Sequence, residues 1–168
     1  MPGQEGAGMA QEGGPGRVVW ASELTWDDEL TSSGVAALPT VRAWVRQTAA
    51  DIGAEALTDL LLVVVELVTN AIEHGGGPRR LRLWRTADEV NVEVEDTNLD
   101  DVTPGVSRFG EAAHRGNGLV LVRRICRDWG VRRDTGSGRK TVWSTMPCAE
   151  HAHSGDAVSP SGTTPSRP

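Results

Sequence analysis

The chain has 168 residues, a net charge of -6 and 38% hydrophobic residues, enough for one domain with a core and too little for two. The acidic balance excludes broad electrostatic attraction to nucleic acid or to an anionic membrane surface. Aromatic usage is uneven, with six Trp, one Phe and no Tyr, and Lys140 is the one lysine.

Residues 1–16 are rich in Gly, Gln and Glu, with neither the basic start nor the apolar stretch of a signal peptide. Residues 148–168 are rich in Ser, Pro, Thr and Gly. Both read as disordered tails around a folded unit over 17–147. The longest aliphatic run, Leu60 to Val65, falls far short of the ~20 residues of a membrane helix. A cytoplasmic protein is expected. Cys126 and Cys148 have no metal-type spacing and are expected as free thiols.

In chain order, Val18–Trp20 reads as a short strand followed by a polar loop. Leu38 to Ile52 reads as an amphipathic helix with Val41, Trp44, Val45 and Thr48 on one side, ended by Gly53. A second helix runs from Glu55 to His74, stopped by Gly75-Gly76-Gly77-Pro78. Arg79–Thr86 and Glu89–Asp96 read as paired strands around the Ala87-Asp88 turn. A polar loop over 97–115 precedes a third helix from Gly118 to Arg127. Asp128–Asp134 and Lys140–Met146 form a hairpin turned by Thr135-Gly136-Ser137-Gly138. The expected class is α+β, a two-layer sandwich of about three helices on a mostly antiparallel sheet of four or five strands.

Four segments carry chemistry. The second helix is apolar nearly all round, yet Glu66 and Asn70 lie four residues apart on one stripe, with Glu73 beyond them. The stripe is either a solvent-facing edge or a carboxylate and an amide aimed into a cleft, a pair suited to a hydrated Mg²⁺ on phosphates. In Val90-Asn91-Val92-Glu93-Val94-Glu95-Asp96, the valines face the core and Asn91, Glu93 and Glu95 face out. Asp96 shares the parity of the valines. An inward carboxylate needs donors, from a turn amide or from a ligand. Gly116-Asn117-Gly118-Leu119 opens an apolar helix, as a simple cap or as a close approach to phosphate, and Arg115, and less strongly Arg108, could reach that phosphate. Thr141 begins the last strand and by itself is an ordinary strand residue. His74, near the C-terminal end of its helix, suits the dipole there, and His151 and His153 fall in the tail and read as non-ligands. Arg123, Arg124, Arg127, Arg132 and Arg133 form a basic cluster, a solvated face or a dock for an acidic protein surface.

Taken in order, Glu66-Leu-Val-Thr-Asn70-Ala-Ile-Glu-His74-Gly, Val-Glu-Val-Glu-Asp96, Gly116-Asn-Gly118-Leu119 and Gly138-Arg-Lys-Thr141-Val-Trp143 resemble the N-box, the two glycine boxes and the closing threonine strand of the GHKL (Bergerat-fold) family. That family includes gyrase, the Hsp90 chaperone, histidine kinases and MutL. The short form, over about residues 35–147, is most similar to the bacterial anti-sigma factor serine/threonine kinases, the RsbW-like and SpoIIAB-like regulators. The resemblance implies ATP and Mg²⁺ as cofactors. It implies Asn70 on Mg²⁺ and Glu66 as general base or water-orienting residue. It implies Asp96 on the adenine amino group, with Asn98 beside it in the pocket. Arg115, Gly116, Asn117, Gly118 and Leu119 would hold phosphates, Thr141 would support Asp96 and a water, and Thr103–Arg115 would form a lid. The implied partners are a STAS-type anti-anti-sigma factor and a sigma factor, with a homodimer common among such proteins. The alternative implied function is an ATP-gated binding module without catalysis. One departure stands out: Asp96-Thr97-Asn98-Leu99-Asp100 lacks the glycines the family often carries there, and asparagine is a residue that can adopt the left-handed backbone glycine permits.

Overall fold

The structure is a computed structural model, described for residues 16–99 and 118–148. Within them a five-stranded sheet in the order β1-β2-β3-β5-β4, antiparallel between all neighbours, carries its helices on one face. The two-layer α+β architecture is as the hydrophobic periods predict.

β1 spans Trp20–Thr25 and pairs along β2 from Trp20↔Arg85 to Thr25↔Arg80. It begins where the sequence expects a strand to end. Val18 and Val19 look strand-like but are 49% and 56% exposed, although the Val19 N–H already donates to Arg85 O at 2.7 Å. The loop expected next contains a short helix, α1 (Asp28–Ser33), and a 3-10 turn over Gly34–Ala37. Asp27 caps α1 by accepting the Leu30 N–H at 2.8 Å. Six residues are too few for hydrophobic periodicity to register, but Asp27 with Asp28 and Glu29 in the first turn is a legible start signal.

α2 spans Leu38–Thr48 and buries Val41 and Val45 completely. It stops before the expected Ile52. Past its end, Asp51 turns to the sheet, accepting Trp20 Nε1–H at 2.9 Å and the Arg85 guanidinium at 2.6 Å. α3, Ala54–His74, is the central helix, with Leu60, Val63, Val64, Leu67, Val68 and Ala71 buried. It packs against α2, α4 and the middle of the sheet.

β2 (Pro78–Arg85) and β3 (Glu89–Asp96) form the expected hairpin, with an irregular register between Pro78 and Arg80. Val90, Val92 and Val94 are fully buried under the helices. Glu93 and Glu95 point to the other face as predicted, yet both are buried. β3 is the middle strand, so guanidinium groups from both sides close over them. Arg80 donates to Glu95 at 2.8 Å, Arg82 stands 3.5 Å from Glu93, Arg132 bonds Glu93 and Arg139 bonds Glu95. Burial pushes the Glu95 carboxyl up, but Arg139 and Arg80 outweigh it and hold it below the usual glutamate range.

α4 spans Gly118–Ile125 and packs on α3. It ends earlier than the expected Arg127 because the Arg127 N–H is already donated to Thr145 O across the sheet, at 2.9 Å. β4 (Asp128–Asp134) and β5 (Arg139–Pro147) complete the sheet. Cys148, which composition assigns to the C-terminal tail, is buried, and its N–H donates to Asp88 O at 3.0 Å. Cys126 and Cys148 are both buried free thiols. Among the described residues no helix is long and apolar enough to cross a membrane.

Candidate functional site

The site forms where the C-terminal end of α3 meets the end of β3. Alternation along β3 carries Asp96 to the helix-facing side, and it is 0% exposed there. After α3 the chain reverses through Gly76 and Gly77, whose φ values of 73° and 95° lie in the left-handed region glycine favours. Both turns are tied together, since the N–H groups of Thr97 and Asn98 donate to Gly75 O at 3.3 and 3.1 Å. Gly75 lies so close over the Asp96 carboxyl that a Cβ there would stand 2.6 Å from its Cγ and Oδ2.

The two oxygens of Asp96 have different duties. Oδ1 accepts the Asn98 N–H at 2.9 Å, the turn-closing role open to an aspartate at a strand end. Oδ2 is buried without a hydrogen bond. Lys140 Nζ stands 3.5 Å from it, an ion-pair distance that is long for a hydrogen bond. Burial pushes the Asp96 carboxyl above the usual aspartate range, against the Asn98 N–H and the Lys140 charge. A buried acceptor left open is the exception in folded proteins and calls for an explanation.

Asn98 does not use the left-handed backbone open to asparagine. No non-glycine residue among those described has a positive φ. Asn98 fits the glycine-free turn through bonds: its backbone N–H goes to Asp96, and its side-chain amide donates to His74 O. Thr141 also falls elsewhere than expected. In the β3–β5 register Thr141 is opposite Glu95 and Lys140 opposite Asp96. Thr141 therefore lies on the outer face, in a hollow with Arg80, Glu95, Arg132 and Arg139, and Lys140, 2% exposed, occupies the place beside the carboxylate. Lys140 and Gly75 are the two members that the motif comparison passes over. Parity could have found the first: Val142, Ser144 and Met146 are buried, so Lys140, two residues before Val142, faces the same way.

Glu66 and Asn70 are half-buried on α3, one turn apart. Desolvation, with Glu73 adding repulsion, pushes the Glu66 carboxyl above the usual glutamate range. Gly118 is the first residue of α4, and Leu119 is buried in the core, anchoring that helix start. Arg108, Arg115, Gly116, Asn117, the 103–115 segment and both histidines of the tail lie outside the described residues. No group of three or more His, Cys, Asp or Glu side chains poised for a metal occurs among the described residues.

The family model of the histidine kinase-like ATPase domain matches residues 31–146, which contain every element of this site. The chain belongs to that family. Comparison with curated proteins gave no match. As a histidine kinase-like ATPase domain the chain is an ATP-binding protein, and the geometry fits the ligand. Oδ2 of Asp96 is a buried acceptor without a hydrogen bond, and Gly75 packs against that carboxyl with no side chain of its own. Gly118 opens α4, and helix starts of this kind carry backbone N–H groups suited to phosphate.

Proposed function

We propose that the protein is a Mg-ATP-dependent serine/threonine kinase of the anti-sigma type, acting on a STAS-type anti-anti-sigma partner and sequestering a sigma factor. The reading rests on one observation above the others. Glu66 is a half-buried carboxylate, raised in basicity by its surroundings, one helical turn from an amide and on the helix whose end covers Asp96. ATP supplies the transferable γ-phosphoryl group, with Mg²⁺ neutralising charge on the phosphates. Asn70 would hold the cation. Asp96 accepts from the base, and the backbone at Gly118 and Leu119, with Arg115, Gly116 and Asn117, holds phosphate. Glu66 orients the partner's hydroxyl and takes its proton as that oxygen bonds to phosphorus. The bridging oxygen leaves on ADP. Positioning and charge stabilisation account for most of the rate, as in other phosphoryl transfers.

Glu66→Gln keeps the size and polarity of the side chain and removes the base. With radiolabelled ATP and purified anti-anti-sigma proteins, transfer should fall by ~10²–10⁴-fold, with ATP affinity within about twofold of wild type. Equal transfer by both proteins would remove Glu66 from the chemistry. Asn70→Ala should abolish the dependence of nucleotide affinity on Mg²⁺, measured by titration with and without the metal; unchanged dependence would move the cation elsewhere. The glycine-free turn after Asp96, closed by side-chain bonds, favours a second reading, an ATP-gated binding module without catalysis. Absence of transfer to any partner, with ATP-dependent capture of the partner retained, would select it.

A further inference from the structure

Lys140 is buried, charged and absent from the roles above. Its Cα is the cross-strand partner of Asp96, both side chains point to the helix layer, and they are 2% and 0% exposed. Burying an ammonium group costs several kcal/mol even after relaxation, and a counter-ion repays this only in good geometry with the remaining donors satisfied. Here the geometry is loose. Nζ stands 3.5 Å from Oδ2, and Oδ2 accepts no hydrogen bond. An ammonium carries three donors, and a carboxylate oxygen two lone pairs. The pair therefore sets an open acceptor beside an ammonium group at the end of the sheet, with Gly75 packed directly against the carboxyl.

We propose that Lys140 reads the base together with Asp96, its ammonium donating to the purine ring nitrogen adjacent to the amino group that Oδ2 accepts. This deepens the ATP-binding reading and rests on it. Adenine matches the pair, since its 6-amino group is a donor directly beside N1, an acceptor. Guanine also offers a donor beside an acceptor, at N1–H and O6, but its 2-amino group asks for a further acceptor. The other oxygen of Asp96 is committed to the Asn98 N–H. The Asp96–Lys140 pair thus selects adenine through two direct contacts.

The test is nucleotide binding by the full chain, with no catalysis required. Wild type and Lys140→Met are titrated with ATP, with 1-deaza-ATP, in which N1 is replaced by C–H, and with purine riboside triphosphate, which lacks the 6-amino group. Wild type should bind 1-deaza-ATP about tenfold or more weakly than ATP, the size expected for a hydrogen bond from a charged donor. Lys140→Met should bind ATP more weakly than wild type and show no further loss with 1-deaza-ATP. Equal affinity of wild type for ATP and 1-deaza-ATP overturns the proposal, and this comparison needs no variant to fold. A full deaza penalty persisting in Lys140→Met overturns it as well. Purine riboside triphosphate probes Asp96 separately: its weaker binding would leave the ATP reading standing if Lys140 fails. Wild type that binds none of the three nucleotides would remove the ATP reading and the Lys140 role with it.

Discussion

Asp96→Asn should reduce ATP affinity by about 100-fold or more, as expected for removing a charged, buried acceptor. The asparagine oxygen can still close the turn by accepting the Asn98 N–H, as Oδ1 does now. Its amide NH₂ then takes the place of Oδ2, a donor facing both the Lys140 ammonium and the base amino group. The same change leaves Lys140, 2% exposed, without its counter-charge. Breaking a buried pair from one side costs about 3–5 kcal/mol, to be read by urea unfolding. Asp96→Asn combined with Lys140→Met separates the two effects. It should recover much of the stability and none of the binding. If the double variant regains ATP affinity, Asp96 is a structural ion and no part of the nucleotide site. Acid should act in the same direction. A protonated Asp96 cannot accept, and burial sets its pKa above the ordinary aspartate range. The Asp96 contribution to ATP affinity is therefore present above that raised pKa. It is lost as pH falls through it, earlier than for an exposed aspartate.

Gly75→Ala should be the second large effect, and for steric reasons alone. Gly75 has φ -99° and ψ 2°, a conformation open to alanine. The obstacle is space: the added Cβ would lie 2.6 Å from Cγ and Oδ2 of Asp96 and 2.8 Å from Ala71 O. Neither neighbour yields easily. Asp96 is fully buried and tied to Asn98, and Ala71 O accepts from both Gly75 and Gly77 N–H. The turn must open, at about 1–3 kcal/mol for overpacking, and the carboxylate must move, which should weaken ATP binding by roughly tenfold or more. Gly53→Ala is the matched control, since nothing lies within 4 Å of a Cβ there. It should change stability by less than about 0.5 kcal/mol. A stable Gly75→Ala protein with normal ATP affinity would show that the contact between the two turns does not shape the pocket.

Much of this site is legible in the chain because two simple periods carry it. The helical repeat places Glu66 and Asn70 on one stripe of α3, and strand alternation turns Asp96 inward behind Val90, Val92 and Val94. Where motif resemblance replaced the period, the result differed. The family pattern assigns Thr141 to the adenine site, whereas alternation back from Val142 puts Lys140 beside Asp96, as the register between β3 and β5 shows. α1 escaped because six residues make less than two turns, too few for a repeat. The burial of Glu93 and Glu95 could not be read along β3, since the groups that cover them come from β2, β4 and β5.

The chain alone specified the α+β class, the helices α2, α3 and α4, the paired strands and the inward direction of Asp96. These follow from local repeats of polarity and from glycine stops, properties of neighbours along the chain. Tertiary structure alone decided that Gly75 closes on Asp96, that Asn98 serves the turn through bonds instead of a left-handed backbone, and that the Asp96–Lys140 distance leaves Oδ2 open. Those outcomes depend on the register between strands far apart in sequence and on the approach of one turn to another. No run of neighbouring residues encodes either quantity.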